Sequence, residues 1–177
     1  MKIKNTIIDS QRIEQRVKEL AAQISEDYKD LKEPLIIVGI LKGSFIFMAD
    51  LCRYLTIPHV CDFMSVSSYG NSSKRSGNVR IIMDARENQE GRDVLIVEDI
   101  LDSGHTLDYL IKNFKSRYTK SVKTVVLARK PNELAFPVEI DYVGFDIPSV
   151  WVVGYGLDYA ERYRTLPYIA ELDPEER

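Results

Sequence analysis

The sequence predicts an α/β fold, a mainly parallel twisted sheet flanked by helices. Three apolar runs carry the prediction: residues 35–40 (LIIVGI), 93–99 (DVLIVED) and 122–129 (VKTVVLAR). Each is almost continuously apolar and rich in branched side chains, the pattern of a strand covered on both faces. Helical segments separate the runs, and strands alternating with helices build a parallel sheet. With 177 residues the chain is long enough for one domain, 1–177, with a substantial core.

The elements follow in order. Residues 10–30 space Ile13, Val17, Leu20, Ala21 and Ile24 three and four apart, an amphipathic helix capped by Asp9 or Ser10. Pro34 ends that pattern, and the first buried strand follows. Residues 43–55 predict a helix capped by Ser44, and 58–69 a strand. Residues 67–78 (SSYGNSSKRSGN) are almost wholly polar with two glycines, which predicts a flexible loop. A short strand is expected over 79–85, then the buried strand at 93–99. A helix over 103–118 should turn Leu107, Leu110, Ile111 and Phe114 inward. After the strand at 122–129, residues 140–148 and 150–156 predict two more.

Composition excludes several classes of function. A net charge of -3 gives no overall positive field for nucleic acid. No apolar run approaches the roughly 20 residues of a membrane span, and residues 1–15 lack a signal-peptide core. A cytoplasmic protein is expected. Cys52 and Cys61 form no CxxC pair, and His59 and His105 are the only histidines, so no zinc site is expected. Both cysteines are expected as small buried apolar residues in a reducing compartment.

Parallel sheets bind ligands beyond the carboxyl ends of their strands. That rule singles out residues 39–43, 98–106, 129–130 and 154–158. The richest is VLIVEDILDSGHTL, residues 94–107. Glu98 and Asp99 follow a buried strand directly, and alternation turns them to opposite faces. The chain then enters a helix, whose N-terminus offers unpaired N–H groups and partial positive charge, worth about 0.3–1 kcal/mol to a nearby anion. Gly104 lets backbone approach that anion, and Ser103 and Thr106 add hydroxyls. Singly, Asp102 or Ser103 reads as a plain helix cap and the two acids as solvated charges. Together they make an anion seat beside carboxylates, which suits a sugar phosphate. A nucleotide P-loop is a weak rival, since His105 stands where its lysine belongs and no glycine lies five residues before Gly104.

This stretch resembles the phosphoribosyl diphosphate (PRPP) binding motif of phosphoribosyltransferases: a hydrophobic strand, two acids, then D-[ST]-G-x-T. GILKGSFIFMADL (39–51), SSYG (67–70), KP (130–131) and VGFDIP…WVVGYGLDYAERYRTLPYIAEL (143–172) are similar, in order, to hypoxanthine (hypoxanthine-guanine) phosphoribosyltransferases. The likeness runs from about residue 5 to about 172. It implies the type I phosphoribosyltransferase fold, with a small hood formed by the N- and C-terminal segments. It also implies a purine salvage reaction: a 6-oxopurine and PRPP give a nucleoside monophosphate and pyrophosphate with Mg²⁺.

The resemblance further implies roles for individual residues. Ser103, Gly104, His105 and Thr106 would seat the 5′-phosphate, with Ile100 and Leu101 in the same substrate-binding segment. Glu98 and Asp99 would meet the ribose hydroxyls and the metal, and Asp158 a second Mg²⁺. Asp102 would be the general base at purine N7. Leu41, Lys42 and Gly43 match the pyrophosphate loop, where the Leu–Lys peptide can be cis, and Arg164 matches a pyrophosphate contact. Lys130 would read the purine O6. Trp151 stands where the family usually stacks a phenylalanine on the base, and Val152 would offer main-chain groups to the base edge. Ser68 and Tyr69 match a pair that closes over the substrates. The family's habit implies a homodimer or homotetramer. A regulatory PRPP-binding module could dispense with Asp102, Lys130 and the aromatic at 151, all of which are present. A relative specific for another base, such as xanthine, is not separated by these residues.

Overall fold

The computed structural model describes residues 3–69 and 78–173. Its main sheet has six strands: β2 (Leu35–Leu41), β3 (His59–Tyr69), β4 (Asn78–Met83), β5 (Asp93–Leu101), β6 (Ser121–Arg129) and β7 (Tyr142–Asp146). Their order is β4-β3-β2-β5-β6-β7. All neighbours are parallel except the β3–β4 pair at one edge. Three helices cover it: α1 (Ser10–Asp27), α2 (Phe45–Tyr54) and α3 (His105–Lys115).

Side-chain alternation divides the core. Leu35 and Ile37 of β2, Leu95 and Val97 of β5, and Val125 and Leu127 of β6 pack with Ile13, Val17 and Leu20 of α1 and Phe47 and Leu51 of α2. The intervening Ile36, Val38, Val94, Ile96 and Val126 face the other way and pack with Leu107, Leu110 and Phe114 of α3. Strands used on both faces must be apolar throughout, which is why these three were legible as unbroken runs.

A second, antiparallel sheet joins the two ends of the chain: β1 (Ile3–Ile8), β9 (Ile169–Leu172) and β8 (Val152–Val153), in the order β1-β9-β8. This is the hood that the family resemblance implies. The strand expected over 150–156 shrinks to Val152–Val153, because Gly154 at φ 101° turns the chain and bridges to Leu157.

Local details correct other expectations. Asp9 caps α1, its carboxylate accepting from the Arg12 amide at 2.8 Å. Ser44 precedes α2 without capping it; its buried hydroxyl donates to the Ile40 carbonyl at 2.7 Å. Helix α3 begins at His105, after Gly104, so neither Asp102 nor Ser103 is its cap. Ile111 is only half-buried. Residues 67–69 are not loop but continue β3, pairing with β4 through Ser67↔Arg80, Ser68↔Val79 and Tyr69↔Asn78. The rest of the expected loop, 70–77, lies outside the described residues. Cys52 is half-buried and Cys61 exposed, not the buried pair expected. Among the described residues no helix is long and apolar enough to cross a membrane.

Phe114 ties α3 to the sheet and is fully buried. Phe114→Ala should lower the unfolding free energy by about 3–5 kcal/mol, measured by denaturant titration. A loss under about 1 kcal/mol would mean that α3 is not anchored through this ring.

Candidate active site

The strand order reverses direction between β2 and β5, since β3 and β4 lie to one side and β6 and β7 to the other. At such a switch point two neighbouring loops diverge and leave a crevice. A cleft of about 290 Å³ opens there, between Ile40, Leu41 and Gly43 at the end of β2 and residues 98–104, 106 and 107 at the end of β5 and the start of α3. The turn into α3 passes through Gly104 at φ 82°, the left-handed region that glycine adopts without strain. Its buried side is closed: a Cβ there would stand 3.2 Å from the Phe136 carbonyl oxygen. The first-turn N–H groups of α3, including Thr106, have no partner within the helix by its geometry, and Ser103, Gly104 and Thr106 line the cleft.

Glu98 continues the row of Val94 and Ile96, and Asp99 that of Leu95 and Val97. Burial, reinforced by the Asp99 charge, holds the Glu98 carboxyl well above the usual carboxylate range. Burial also pushes Asp99 up to about 6, against the stabilising N–H of Ile100, which donates to Asp99 Oδ1 at 2.9 Å. Asp99 lies directly against Gly43, where a Cβ would fall 1.6 Å from its Oδ2. The Leu41–Lys42 peptide beside it is cis.

The connection from β8 to β9 closes this side. Gly156 lies so near the pyrophosphate-loop candidate that a Cβ on it would meet the Gly43 carbonyl oxygen at 1.9 Å. Tyr155, Ala160, Glu161 and Tyr163 all have positive φ between 50° and 74°, a concentration of unfavourable backbone typical of ligand clamps. The segment is cross-braced. Arg164 pairs with Asp158 at 2.9 Å and Glu161 at 3.3 Å, and donates to the Gly156 carbonyl at 2.8 Å. Lys42 reaches across to Glu161 at 3.0 Å. Glu161 was not singled out in the sequence, because an exposed acid in a turn has no distinguishing pattern.

A second hollow of about 200 Å³ adjoins the first and shares Asp99, Ile100 and Asp102 with it. Its other walls are Lys130, Trp151, Val152, Leu157 and Asp158. Lys130 is not the solvated lysine of a surface turn: only 12% of its side chain is exposed, and Nζ lies 3.9 Å from Asp102. Its amide donates to the Leu101 carbonyl at 2.9 Å, tying the end of β6 to β5. Trp151 is not a core residue. It is 46% exposed at the mouth of this hollow and stands edge-on to Tyr159, with centroids 6.0 Å apart. Val152 is held by β8–β9 pairing opposite Glu171. His105 sets its ring on Phe136 at 4.8 Å. Ser68 and Tyr69 occupy the end of β3; their side chains lie outside the described residues.

The phosphoribosyl transferase domain family matches residues 4–160. The chain belongs to that family. It is 50% identical over 175 residues to a hypoxanthine-guanine phosphoribosyltransferase of Dictyostelium discoideum, covering 97% of each chain. To the Bacillus subtilis (strain 168) protein of the same name it is 51% identical over 172 residues, covering 97% of this chain and 94% of that one. The solved hypoxanthine phosphoribosyltransferase of Staphylococcus aureus superposes with a TM-score of 0.93 at 45% identity, covering 98% and 94%. The type I fold expected from the resemblance is therefore present, and the chain is a phosphoribosyltransferase.

For a phosphoribosyltransferase, a buried acid pair at the switch point makes a pH signature. A carboxyl held above its unfolded value keeps its proton in the folded chain while the unfolded chain releases it. Its contribution is complete at acid pH and is lost as pH rises from the ordinary carboxylate range through about 6 for Asp99. Measured in chelator, the unfolding free energy should fall across that window, and Asp99→Asn should make the fall shallower. An unchanged slope in the variant would show that Asp99 titrates normally.

Proposed function

We propose that the chain transfers the 5-phosphoribosyl group from PRPP to hypoxanthine and guanine, giving IMP or GMP and pyrophosphate. The observation that carries this reading is the pair of adjoining hollows with Asp99, Ile100 and Asp102 as their common wall. One has an anion seat at a helix start, the other a flat aromatic and a shielded lysine. A sugar phosphate in the first and a purine in the second would bring C1′ to N9 across that wall. Relatives about half identical over nearly the full length, each named for this activity, support it.

In this reading N9 of the purine bonds to C1′ as the bond from C1′ to the pyrophosphate oxygen breaks. The purine N7 proton passes to Asp102, and pyrophosphate leaves with the bond's electron pair. Positioning and electrostatics supply most of the acceleration for such a charge-separated step. Ser103, Gly104, His105 and Thr106 hold the 5′-phosphate, with Ile100 and Leu101 shaping the wall beside it. Leu41, Lys42, Gly43 and Arg164 hold the pyrophosphate, where the guanidinium's paired donors suit phosphate oxygens. Trp151 stacks on the base, Val152 meets its edge with main-chain groups, and Ser68 with Tyr69 closes over the substrates.

Glu98, Asp99 and Asp158 would supply oxygen donors of the kind Mg²⁺ takes, Glu98 and Asp99 from opposite faces of the strand end. Two of them are buried carboxylates that form no salt bridge among the described residues, so a cation would relieve the burial that raises their pKa values. When bound, Mg²⁺ would neutralise charge developing on the leaving pyrophosphate. The reading includes a homodimer or homotetramer in the cytoplasm.

A base panel tests the assignment directly. With Mg²⁺ and PRPP, hypoxanthine and guanine should be converted and adenine left untouched; PRPP binding without turnover of any base would favour a regulatory module. Asp102→Asn should reduce turnover by roughly 10²–10⁴-fold while PRPP affinity changes little, because an amide cannot take the N7 proton. Equal losses in both would make Asp102 a binding residue only. Lys130→Ala should weaken 6-oxopurine binding by about 1.5–3 kcal/mol, read by calorimetry, and unchanged affinity would remove Lys130 from base recognition.

A further inference from the structure

Away from the cleft, three side chains with metal-ligating atoms converge that the transfer reaction does not use. Cys52 stands near the end of α2, and His59 and Cys61 open β3. Two residues apart on a strand, His59 and Cys61 present their side chains to one face. One ligating atom from each of the three lies within 4.8 Å of the others. The two sulfurs are 3.6 Å apart, and the thiolates of a tetrahedral zinc site, each about 2.3 Å from the metal, stand about 3.8 Å apart. The His59 Nδ1 donates to the Ile57 carbonyl at 2.9 Å. That bond puts the lone pair on Nε2 and steadies the ring, the backing that metal-bound histidines characteristically have.

We propose that Cys52, His59 and Cys61 form a binding site for a soft divalent cation, zinc foremost, with a fourth position open to water. Two thiolates and a neutral imidazole are the donors zinc prefers over the carboxylate oxygens of the cleft. Binding replaces two thiol protons, which are released to solvent, and leaves a neutral complex with Zn²⁺. Burial and the neighbouring Cys61 push the Cys52 thiol up to about 12, so without a metal it is a poor nucleophile for disulfide exchange. A bound cation is what would ionise it.

The site is separate from the reaction. Cys61 pairs in register with Ile37, whereas the cleft begins at the Ile40↔Met64 level, three residues or about 10 Å along the strand. Helix α2 starts just after the Leu41–Gly43 loop and ends at this cluster. The ion would therefore fasten the far end of α2 to β3 and act on stability, not on chemistry.

The test uses the reduced full-length chain with Mg²⁺ present, titrated with Co²⁺ as a spectroscopic stand-in for zinc. One equivalent should produce thiolate-to-cobalt charge-transfer absorption and the intense visible bands of tetrahedral cobalt. Zn²⁺ should bleach both and protect both cysteines from a thiol reagent. Cys61→Ser, at an exposed position, and His59→Ala should each weaken cobalt binding by at least tenfold, with Mg²⁺-dependent turnover unchanged. Both thiols remaining reactive under excess zinc, with no charge-transfer band, would overturn the proposal. So would a band that survives intact in both variants, which would put the ion elsewhere. Cobalt held by the cleft carboxylates alone would give no thiolate band and counts against it equally.

Discussion

The contact between Gly43 and the Asp99 carboxylate is the constraint on which the site depends. No methyl group fits between them, since a Cβ would overlap Oδ2. β5 is packed on both faces, through Leu95 and Val97 on one side and Val94 and Ile96 on the other, which anchors the strand that carries Asp99. Gly43 follows β2, which is hydrogen-bonded alongside β5. The crevice between the two strand ends is thus narrow, polar and rigid. Gly156 presses on the Gly43 carbonyl from the hood side, so three separate stretches of chain meet at Gly43 with no room for a side chain on either glycine. A side chain at 43 or 156 would force apart the loop, the acid and the hood together.

Burial then sets the electrostatics. Glu98 and Asp99 sit where water cannot fully solvate them; the Asp99 charge raises the cost of ionising Glu98, and Asp158 raises that of Asp99. Such a pair is unfavourable for stability and useful only with a cation or a hydroxyl-rich ligand beside it. Asp158 is different: Arg164 and the Glu161 amide already satisfy it. The Lys42–Glu161 and Arg164–Glu161 pairs are exposed on the acid side and contribute little to stability. They hold two cationic side chains, Lys42 and Arg164, side by side on Glu161.

Much of this was legible in the sequence, for physical reasons that can be named. β2, β5 and β6 are covered on both faces, so their apolar runs are unbroken; α1 covers one face, so its apolar residues recur at helical spacing. The acids after β5 and the glycine before α3 could be read locally because the motif is contiguous. β1 and β9 could not. They are short, β1 is largely exposed, and their pairing depends on partners more than 160 residues away in the chain, as in Ile3↔Leu172. Glu161 and Gly156 matter only through contacts across the hood, and no local pattern marks them. The Cys52–His59–Cys61 cluster escaped because its spacing belongs to no familiar motif; a helix end and a strand start bring it together. Ser44 looked like a cap by residue type, yet its burial directs the hydroxyl to the nearest carbonyl instead.

In the proposed reaction the corner between β5 and α3 would grip the terminal phosphate of a sugar while the acids before it face the sugar's hydroxyls. A crystal structure with PRPP and Mg²⁺ tests it most directly. The 5′-phosphate is expected on the backbone N–H groups of residues 103–106, with the ribose hydroxyls against Glu98 and Asp99. PRPP bound elsewhere, or in the cleft with its pyrophosphate in that corner, would contradict it.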